Sequence, residues 1–483
     1  MRVLYAASEA APLIKTGGLA DVSGALPAAL RKIGIDCRVL IPGYPVVMYQ
    51  LQATRQVARF DQFLDATGKP LAARLLESSM PGSDTPLYVL DAPHFFARNG
   101  GPYQDSEGLD YPDNALRFAL LSKVAALLAS AESPIEWQPD ILHCNDWQTG
   151  LAPAYLRLSG SQTPCLITVH NLAYQGIFPP EVATELHLPA HAFSIEGVEY
   201  YGNLSFLKAG LFYANHITTV SPSYALEIQQ PHLGMGMQGL LGSRSHQLSG
   251  ILNGIDTQEW DPSADPRLPC KYTARALGGA SQGKKLCKLK LQEELGLEAR
   301  TDAPLFGMIA RLAHQKGLDL VLAVADGIID KGGQIALLGT GDKSIETAVK
   351  ALVARHPGKV AAFIGYDEGL SHRIEAGADI FMMPSLFEPC GLNQMYSLRY
   401  GAVPIVHATG GLRDTVEDGV TGFVFYQPTP HEFWLAIERA FDLYGQKPAW
   451  KKMMQTGMNR DFSWQKSALT YQALYESVLP EPL

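Results

Sequence analysis

Short apolar runs alternate with helical patterns along almost the whole chain. The strand candidates in the first half are Arg38–Ile41, Tyr88–Asp91, Ile141–Cys144, Cys165–Val169 and Ile217–Val220. A second series consists of Leu305–Ile309, Ile335–Leu338, Val360–Ile364, Ile380–Met383 and Pro404–His407. Such alternation predicts parallel sheets covered by helices on both faces. Because this many units exceed one ordinary sheet, we expect an α/β protein with two doubly wound domains.

A turn-rich stretch predicts where one domain ends and the next begins. Asn253-Gly254 is a turn signal, and Asp-Pro pairs follow in an irregular stretch up to Asp265. We therefore predict a first domain over 1–248 and a second over 249–463. In the last segment, 464–483, apolar residues recur at four-and-three spacing, which predicts an amphipathic helix that packs against something.

Composition and charge exclude several classes of protein. The chain is 47% hydrophobic and 18% charged, with a formal net charge of -9, which argues against a general binder of nucleic acid or acidic membranes. The lysines between 284 and 290 form no basic tract and are interpreted as the polar face of a helix. Six cysteines without a C-x-x-C pair indicate free thiols in a reducing compartment. With no charged leader or long apolar run, the cytoplasm is the expected location.

One short motif occurs twice. Thr16-Gly17-Gly18-Leu19-Ala20-Asp21 near the start is similar to Thr409-Gly410-Gly411-Leu412-Arg413-Asp414 near the end. Each opens a helical pattern after an apolar strand, where paired glycines let backbone amides approach a phosphate or sugar. An ordinary glycine turn is the equally good alternative on pattern alone.

Charged residues follow several predicted strands. Arg311 and Lys316 lie in a short polar loop and, with Lys15, could hold a diphosphate. Because no D-x-D pattern occurs, we expect no metal at this site. Glu388 follows another strand and could face a sugar, although a carboxylate at a helix start is the simpler interpretation. Asp146 and His170 also end strands, but no catalytic triad can be assembled around them.

Taken together, these segments resemble the glycogen and starch synthase family over nearly the whole chain. The motifs that carry the resemblance are Ser8-Glu9, Lys15–Val22, Tyr111–Asn114, His143–Trp147, His170–Gly176, Asn253–Asp256, Ala310–Leu312 with Lys316-Gly317, Phe387–Leu392 and Thr409–Leu412. Any one of them could occur by chance, whereas their joint presence in this order is highly specific.

The resemblance implies a glycosyltransferase-B fold, with two Rossmann-like domains facing across a deep cleft and the C-terminal helix crossing back to the first domain. It implies retaining transfer of glucose from ADP-glucose to the non-reducing 4-hydroxyl of an α-1,4-glucan, in glycogen biosynthesis. ADP-glucose is then a substrate, and no cofactor, metal, nucleic acid or membrane partner is expected. A front-face mechanism with the His170 carbonyl near the anomeric centre is favoured over a covalent intermediate.

The resemblance also implies site residues. Arg311, Lys316, Glu388 and His170 would be catalytic, with the two cations on the diphosphate and Glu388 on the donor glucose. Tyr366 would be a platform for the base. The remaining substrate-binding positions would be Lys15, Gly17, Gly18, Asp21, Asn114, Asp146, Asn171, Asn253, Cys390, Gly391, Leu392, Thr409, Gly410 and Gly411, with Arg98 a weaker member.

Three positions depart from the family pattern, and three other functions stay open. Leu386 replaces a residue that is commonly polar, Asn393 replaces a usual Thr, and Ala97 replaces a frequent acidic residue. The first alternative is a UDP-glucose-dependent, sucrose-synthase-like or maltose-1-phosphate-forming transferase of the same fold. The second is a catalytically silent glucan-binding protein. A nicotinamide dehydrogenase ranks last, since no convincing G-x-G-x-x-G follows the first strand.

Overall fold

The polypeptide divides into two units at the turn signalled by Asn253 and Gly254. A computed structural model describes residues 1–60, 72–277 and 282–480. One unit comprises Met1–Gly254 together with Trp464–Leu483, and the other comprises Ile255–Ser463. The observed division therefore falls a few residues after the predicted boundary at 248.

A twisted sheet of nine strands forms the centre of the first unit in its described residues, in the order β12-β11-β7-β6-β1-β2-β5-β4-β3. The strands are β1 Arg2–Ala6, β2 Asp36–Pro42, β3 Arg55–Phe60, β4 Ala73–Ser79, β5 Pro86–Asp91, β6 Ile141–Asn145, β7 Cys165–Val169, β8 Ile177–Phe178, β9 Glu199–Tyr200, β10 Asn203–Ser205, β11 His216–Thr219 and β12 Leu248–Gly250. Pairing is parallel from β12 to β5 and antiparallel where β4 and β3 extend the edge. Strands β8, β10 and β9 form a small separate sheet.

Helices cover this sheet. They are α1 Gly18–Lys32, α2 Pro45–Gln50, α3 Pro93–Phe96, α4 Asn114–Leu128, α5 Ala152–Leu158, α6 Val182–Glu185, α7 Phe206–Tyr213, α8 Pro222–Glu227 and α9 Gln238–Ser243, joined by the C-terminal helix Trp464–Val478. The C-terminal helix packs against α1 and buries Ala468, Tyr471 and Tyr475 in the core of the first unit. The Tyr475 hydroxyl lies 2.7 Å from Nδ1 of the buried His143 in β6. The amphipathic pattern of the segment therefore has a defined partner.

The second unit has a six-stranded parallel sheet in the order β15-β14-β13-β16-β17-β18. Its strands are β13 Leu305–Ile309, β14 Gln334–Gly339, β15 Val360–Ile364, β16 Ile380–Met383, β17 Val403–His407 and β18 Phe423–Phe425. Its helices are α10 Gly283–Glu294, α11 Leu318–Asp330, α12 Lys343–Arg355, α13 Glu368–Gly377, α14 Asn393–Tyr400, α15 Gly410–Thr415, α16 Pro430–Gly445 and α17 Lys447–Met458; the C-terminal helix is α18. Apolar side chains from both faces of the sheet form two core clusters.

The lysines of α10 correct one prediction. They do lie on a helix, but Lys284 and Lys288 are buried rather than on a solvated polar face. The Lys284 Nζ donates to the carbonyls of Ala376 and Tyr400, both at 3.0 Å. The Lys288 Nζ lies 2.6 Å from Asp379 Oδ2. Buried charge of this kind is tolerated because each ammonium finds acceptors, and linear spacing does not reveal those acceptors.

Two further expectations are addressed by the structure. All six cysteines are free, as predicted. Over 1–60, 72–277 and 282–480, no helix combines the length and the apolar character needed to cross a bilayer.

Candidate active site

Loops from three adjacent strands meet at one edge of the second sheet. Strand β16 lies between β13 and β17, and both pairings are parallel. Their carboxyl ends therefore lie side by side, which is where open α/β sheets bind ligands. The loop after β13 carries Arg311 and Lys316, the loop after β16 carries Glu388, and the loop after β17 carries the second Thr-Gly-Gly motif.

Lys316 and Glu388 form the centre of this edge. The Lys316 Nζ lies 2.6 Å from Glu388 Oε2, and 21% of the lysine side chain is exposed. The Ser385 hydroxyl donates to the same carboxylate oxygen at 3.0 Å. Glu388 itself is 7% exposed, so this carboxylate is more than a helix-start charge in solvent. An ammonium in contact with a shielded carboxylate can bind an anion, while the carboxylate accepts a hydrogen bond from a sugar hydroxyl at the adjacent position.

Glycines bring the third loop against the second. Gly410 has a φ of +44°, and a Cβ there would lie 2.0 Å from the Glu388 carbonyl oxygen. A Cβ at Gly411 would lie 2.0 Å from the carbonyl oxygen of Cys390, which is buried. The Gly411 amide donates to the Glu388 carbonyl at 3.1 Å. The second Thr-Gly-Gly motif, which begins at the buried Thr409, thus serves close backbone packing beside Glu388.

The first Thr-Gly-Gly motif is in a different environment from the second, because its glycines are not packed against neighbouring backbone. A Cβ at Gly17 or Gly18 would meet no atom within 4 Å, so the protein itself does not require glycine there. Next to them, the Lys15 Nζ lies 2.7 Å from Asp21 Oδ1. The open space beside Gly17 and Gly18 leaves room for a ligand next to this loop. At Gly411, the second motif has no such room.

A buried carboxylate holds the Lys15 loop in place. Glu9 accepts from the Thr16 amide at 2.5 Å, from the Thr16 hydroxyl at 2.8 Å and from the Tyr103 hydroxyl at 3.0 Å. Burial raises the pKa of Glu9, and these donors act against that rise. The Asn114 side chain donates to the Tyr103 carbonyl at 2.9 Å. Asn114 thereby joins this network as a support; Glu9 and Tyr103 were not among the predicted site residues.

Asp146 and His170 meet where β6 and β7 end. The Asp146 backbone has φ 54° and ψ −171°, a conformation that costs non-glycine residues on the order of 1–3 kcal/mol and is concentrated at functional sites. Asp146 Oδ1 accepts from the His170 amide at 2.7 Å. Burial raises the pKa of Asp146 to about 7, against the effect of amide donors from His170 and Asn171.

The His170 imidazole is held as a neutral ring. Its Nε2 lies 3.0 Å from the Asn145 side-chain oxygen, and burial lowers its pKa to about 3. A neutral imidazole at pH 7 donates through one nitrogen and accepts through the other, so it can position a sugar hydroxyl without adding charge. The Asn171 side-chain oxygen accepts a hydrogen bond from the Ala173 amide at 3.0 Å.

The structure places the remaining predicted residues as follows. Arg311 and Tyr366 are exposed, with Tyr366 79% exposed just beyond β15. Gly391 has a φ of +70° beside Glu388, and Leu392 lies directly before α14. Asn253 is partly buried in the segment that ends the first unit.

The three departures from the family pattern have different structural settings. The Asn393 side chain donates to the Ile309 carbonyl at 2.7 Å, so it joins α14 to the end of β13. The Leu386 amide donates to the Gln315 carbonyl at 2.8 Å, a backbone contact that does not depend on the side chain. Ala97 precedes Arg98, whose guanidinium pairs with Asp113 at 2.5 Å.

One group of three potential metal ligands occurs within the described part of the chain: Glu259, Glu368 and His372. Arg267 donates to both glutamates, at 3.1 and 3.3 Å, so a protein cation already serves those carboxylates. The group shares no residue with the Lys316–Glu388 pair, and the expectation of a metal-free site stays a prediction.

Comparison with known proteins points to the glycogen and starch synthase family, in agreement with the resemblance seen in the sequence motifs. Residues 2–243 match the starch synthase catalytic domain, and residues 293–456 match the glycosyl transferases group 1 family. A glycogen synthase of Nitrosomonas eutropha is 52% identical over 99% of this chain and 96% of its own length. A glycogen synthase of Aromatoleum aromaticum is 53% identical over 98% of this chain and 96% of its own length.

Solved structures agree. The catalytic domain of starch synthase IV from Arabidopsis thaliana, bound to ADP and acarbose, superposes with a TM-score of 0.87 at 33% identity, covering 99% of each chain. Together with the parallel sheets described above, the likeness confirms the predicted glycosyltransferase-B class with its two Rossmann-like domains. The chain is a hexosyltransferase, and it belongs to the glycogen and starch synthase family.

Proposed function

We propose that this chain transfers glucose from ADP-glucose to the non-reducing 4-hydroxyl of an α-1,4-glucan, with retention, in glycogen biosynthesis. The observation that carries the proposal is the 2.6 Å contact between Lys316 and the shielded Glu388, in a chain that matches glycogen synthases along its length. In this proposal the ammonium addresses the diphosphate of the donor and the carboxylate addresses its glucose.

The chemistry follows from where charge develops. Breaking the bond from glucose C1 to ADP adds negative charge to the diphosphate and leaves an oxocarbenium-like sugar. Arg311, Lys316 and Lys15 would stabilise the leaving group more in the transition state than in the ground state. The amides of Gly391 and Leu392, at the start of α14, would add donors. The Gly411 amide is less suited, because it already donates to the Glu388 carbonyl.

The sugar and base contacts complete the proposal. Asp146, His170, Asn171 and Asn253 would bind the donor glucose, and Tyr366 would support the base. The remaining proposed contributors, as substrate ligands or as residues that shape the loops, are Gly17, Gly18, Asp21, Asn114, Cys390, Thr409 and Gly410.

The acceptor hydroxyl would attack from the face that ADP leaves. The departing phosphate would take its proton, because burial lowers the pKa of His170 to about 3 and makes its ring a weak base. The front-face route, with the His170 carbonyl near the anomeric centre, is preferred to a covalent intermediate. Retention is then tested by showing that newly added glucose is released by an α-1,4-specific glucosidase.

The proposal includes independence from metal and cofactor, and action in the cytoplasm. Its test is transfer of radiolabelled glucose onto glycogen from ADP-glucose and from UDP-glucose, with and without a chelator. The Glu388→Gln variant is the control for contaminating activity. Strong transfer from ADP-glucose that survives chelation supports the proposal. Transfer only from UDP-glucose would assign a different donor, and no transfer from either would favour a silent glucan-binding protein.

A further inference from the structure

We propose that Gln315 is a positioning residue that holds the Lys316 segment against the Glu388 segment. The inference rests on the proposed function of Lys316 and Glu388. Gln315 directly precedes Lys316, and two of its hydrogen bonds are to Leu386 and Phe387, the two residues before Glu388. It therefore acts on the reaction through its neighbours and not through the substrate.

Two hydrogen bonds join Gln315 to the neighbouring loop. Its side-chain Nε2 donates to the Phe387 carbonyl at 3.0 Å. Its own carbonyl accepts from the Leu386 amide at 2.8 Å. A link at two successive residues fixes both the separation and the relative rotation of the two segments, as a single hydrogen bond does not.

Further contacts limit how these segments can move. A Cβ at Gly317, where φ is +70°, would lie 2.2 Å from the Pro384 carbonyl oxygen, so the backbones are in contact on the far side of Lys316. At the other end, Asn393 donates to the Ile309 carbonyl at 2.7 Å. Gln315 lies between Ile309 and Gly317 in the sequence. Its side-chain amide therefore ties the loop to the Glu388 segment at the position directly next to Lys316.

The consequence is a preset position for a flexible ammonium. The lysine ammonium sits on a flexible four-carbon side chain. The backbone at Lys316 must therefore be held in place if Nζ is to stay at one position beside Glu388. Displacement of a reacting group by about 1 Å can cost on the order of 10²-fold in rate. Loss of the Gln315 amide should therefore weaken the contribution of Lys316 while leaving the unit folded.

The test is Gln315→Met, which keeps the length of the side chain and removes its donor. The matched control is Gln455→Met, because Gln455 makes the same kind of link, from Nε2 to the Ala274 carbonyl at 2.8 Å, outside the proposed site. Both substitutions are made in the wild-type chain and in Lys316→Ala. We expect Gln315→Met to lower kcat/KM for ADP-glucose by roughly tenfold in the wild type and by less than about twofold without Lys316.

The outcomes separate the possibilities. An equal loss in both backgrounds, or a loss no larger than that of Gln455→Met, would overturn the positioning role. A thermal midpoint lowered equally by both methionine variants, with activity lost only in Gln315→Met, supports it. If the wild-type chain transfers no glucose, the proposed function fails, and calorimetric binding of ADP decides instead. Weaker ADP binding in Gln315→Met only when Lys316 is present supports the role; unchanged binding overturns it.

Discussion

Lys316→Ala separates the chemistry of the site from the stability of the fold. The variant removes a partner 2.6 Å from Glu388 Oε2 and leaves the Ser385 hydroxyl at 3.0 Å. A lost charged hydrogen bond costs about 1.5–3 kcal/mol, against about 5–15 kcal/mol for unfolding a domain. The chain should therefore stay folded. If Lys316 stabilises charge that develops on the leaving group, transfer should fall by about 10²–10³-fold, which corresponds to about 2.7–4 kcal/mol.

Lys343→Ala is the matched control. Lys343 pairs with the buried side chain of Glu346 at 2.8 Å, with 85% of the lysine side chain exposed, and lies on α12. Initial rates of glucose transfer at saturating ADP-glucose and glycogen, together with urea unfolding, distinguish the two lysines. We expect the control to keep its rate within about twofold. If Lys316→Ala retained a third or more of the wild-type rate with an unchanged circular dichroism spectrum, Lys316 would not belong to the catalytic site.

Three other perturbations test the structure around the site. Gly411→Ala should lower the free energy of unfolding by about 1–3 kcal/mol and reduce transfer, because the added carbon meets the Cys390 carbonyl at 2.0 Å. Burial raises the pKa of Asp146 from 3.8 to about 7, so the folded chain retains a proton that the unfolded chain releases. Wild-type stability should therefore fall from about pH 4 to about pH 7 relative to Asp146→Asn in urea unfolding. Tyr475→Phe should cost about 1–3 kcal/mol by leaving the His143 ring nitrogen without its partner at 2.7 Å.

Each of these predictions has a control in the same chain. Gly445→Ala adds a carbon that meets nothing within 4 Å, so its stability should not fall as that of Gly411→Ala does. Asp84→Asn replaces a side chain that is 90% exposed, so it is the control for removing a carboxylate that lacks the burial of Asp146. Tyr49→Phe changes a tyrosine that is 91% exposed and should be neutral. Equal effects in a variant and its control would contradict the corresponding argument.

Buried parallel strands were the most predictable part of the fold. Cys165–Val169, Leu305–Ile309 and Ile380–Met383 are strands with the predicted bounds, because a strand covered on both faces is apolar throughout. The antiparallel strands Arg55–Phe60 and Ala73–Ser79 were not predicted. They lie at the edge of the sheet, where polar residues are tolerated and the apolar signal is interrupted.

The site was predictable as residue types and not as contacts. Arg311, Lys316 and Glu388 could be selected because charge follows an apolar strand. That Lys316 touches Glu388, 72 positions away, depends on the order of strands in the sheet, which one sequence does not state. The support that Glu9 receives from Tyr103 is similarly remote, at a separation of 94 residues. Gln315 lies in the same polar loop as Arg311 and Lys316, but an amide beside a lysine carries no signal of its own.

The position of α18 has a consequence for the order in which the protein can be made. Ala468, Tyr471 and Tyr475 complete the core that begins with β1 and α1, yet they leave the ribosome only after the whole of Ile255–Ser463. The core of the amino-terminal unit therefore stays incomplete, with part of its apolar surface uncovered, until the whole of Ile255–Ser463 has been synthesised. Translation delivers the second unit as a continuous segment, so that unit can fold first. Premature termination between Asn459 and Ser463 would leave the second unit with its final helix and the first unit without α18.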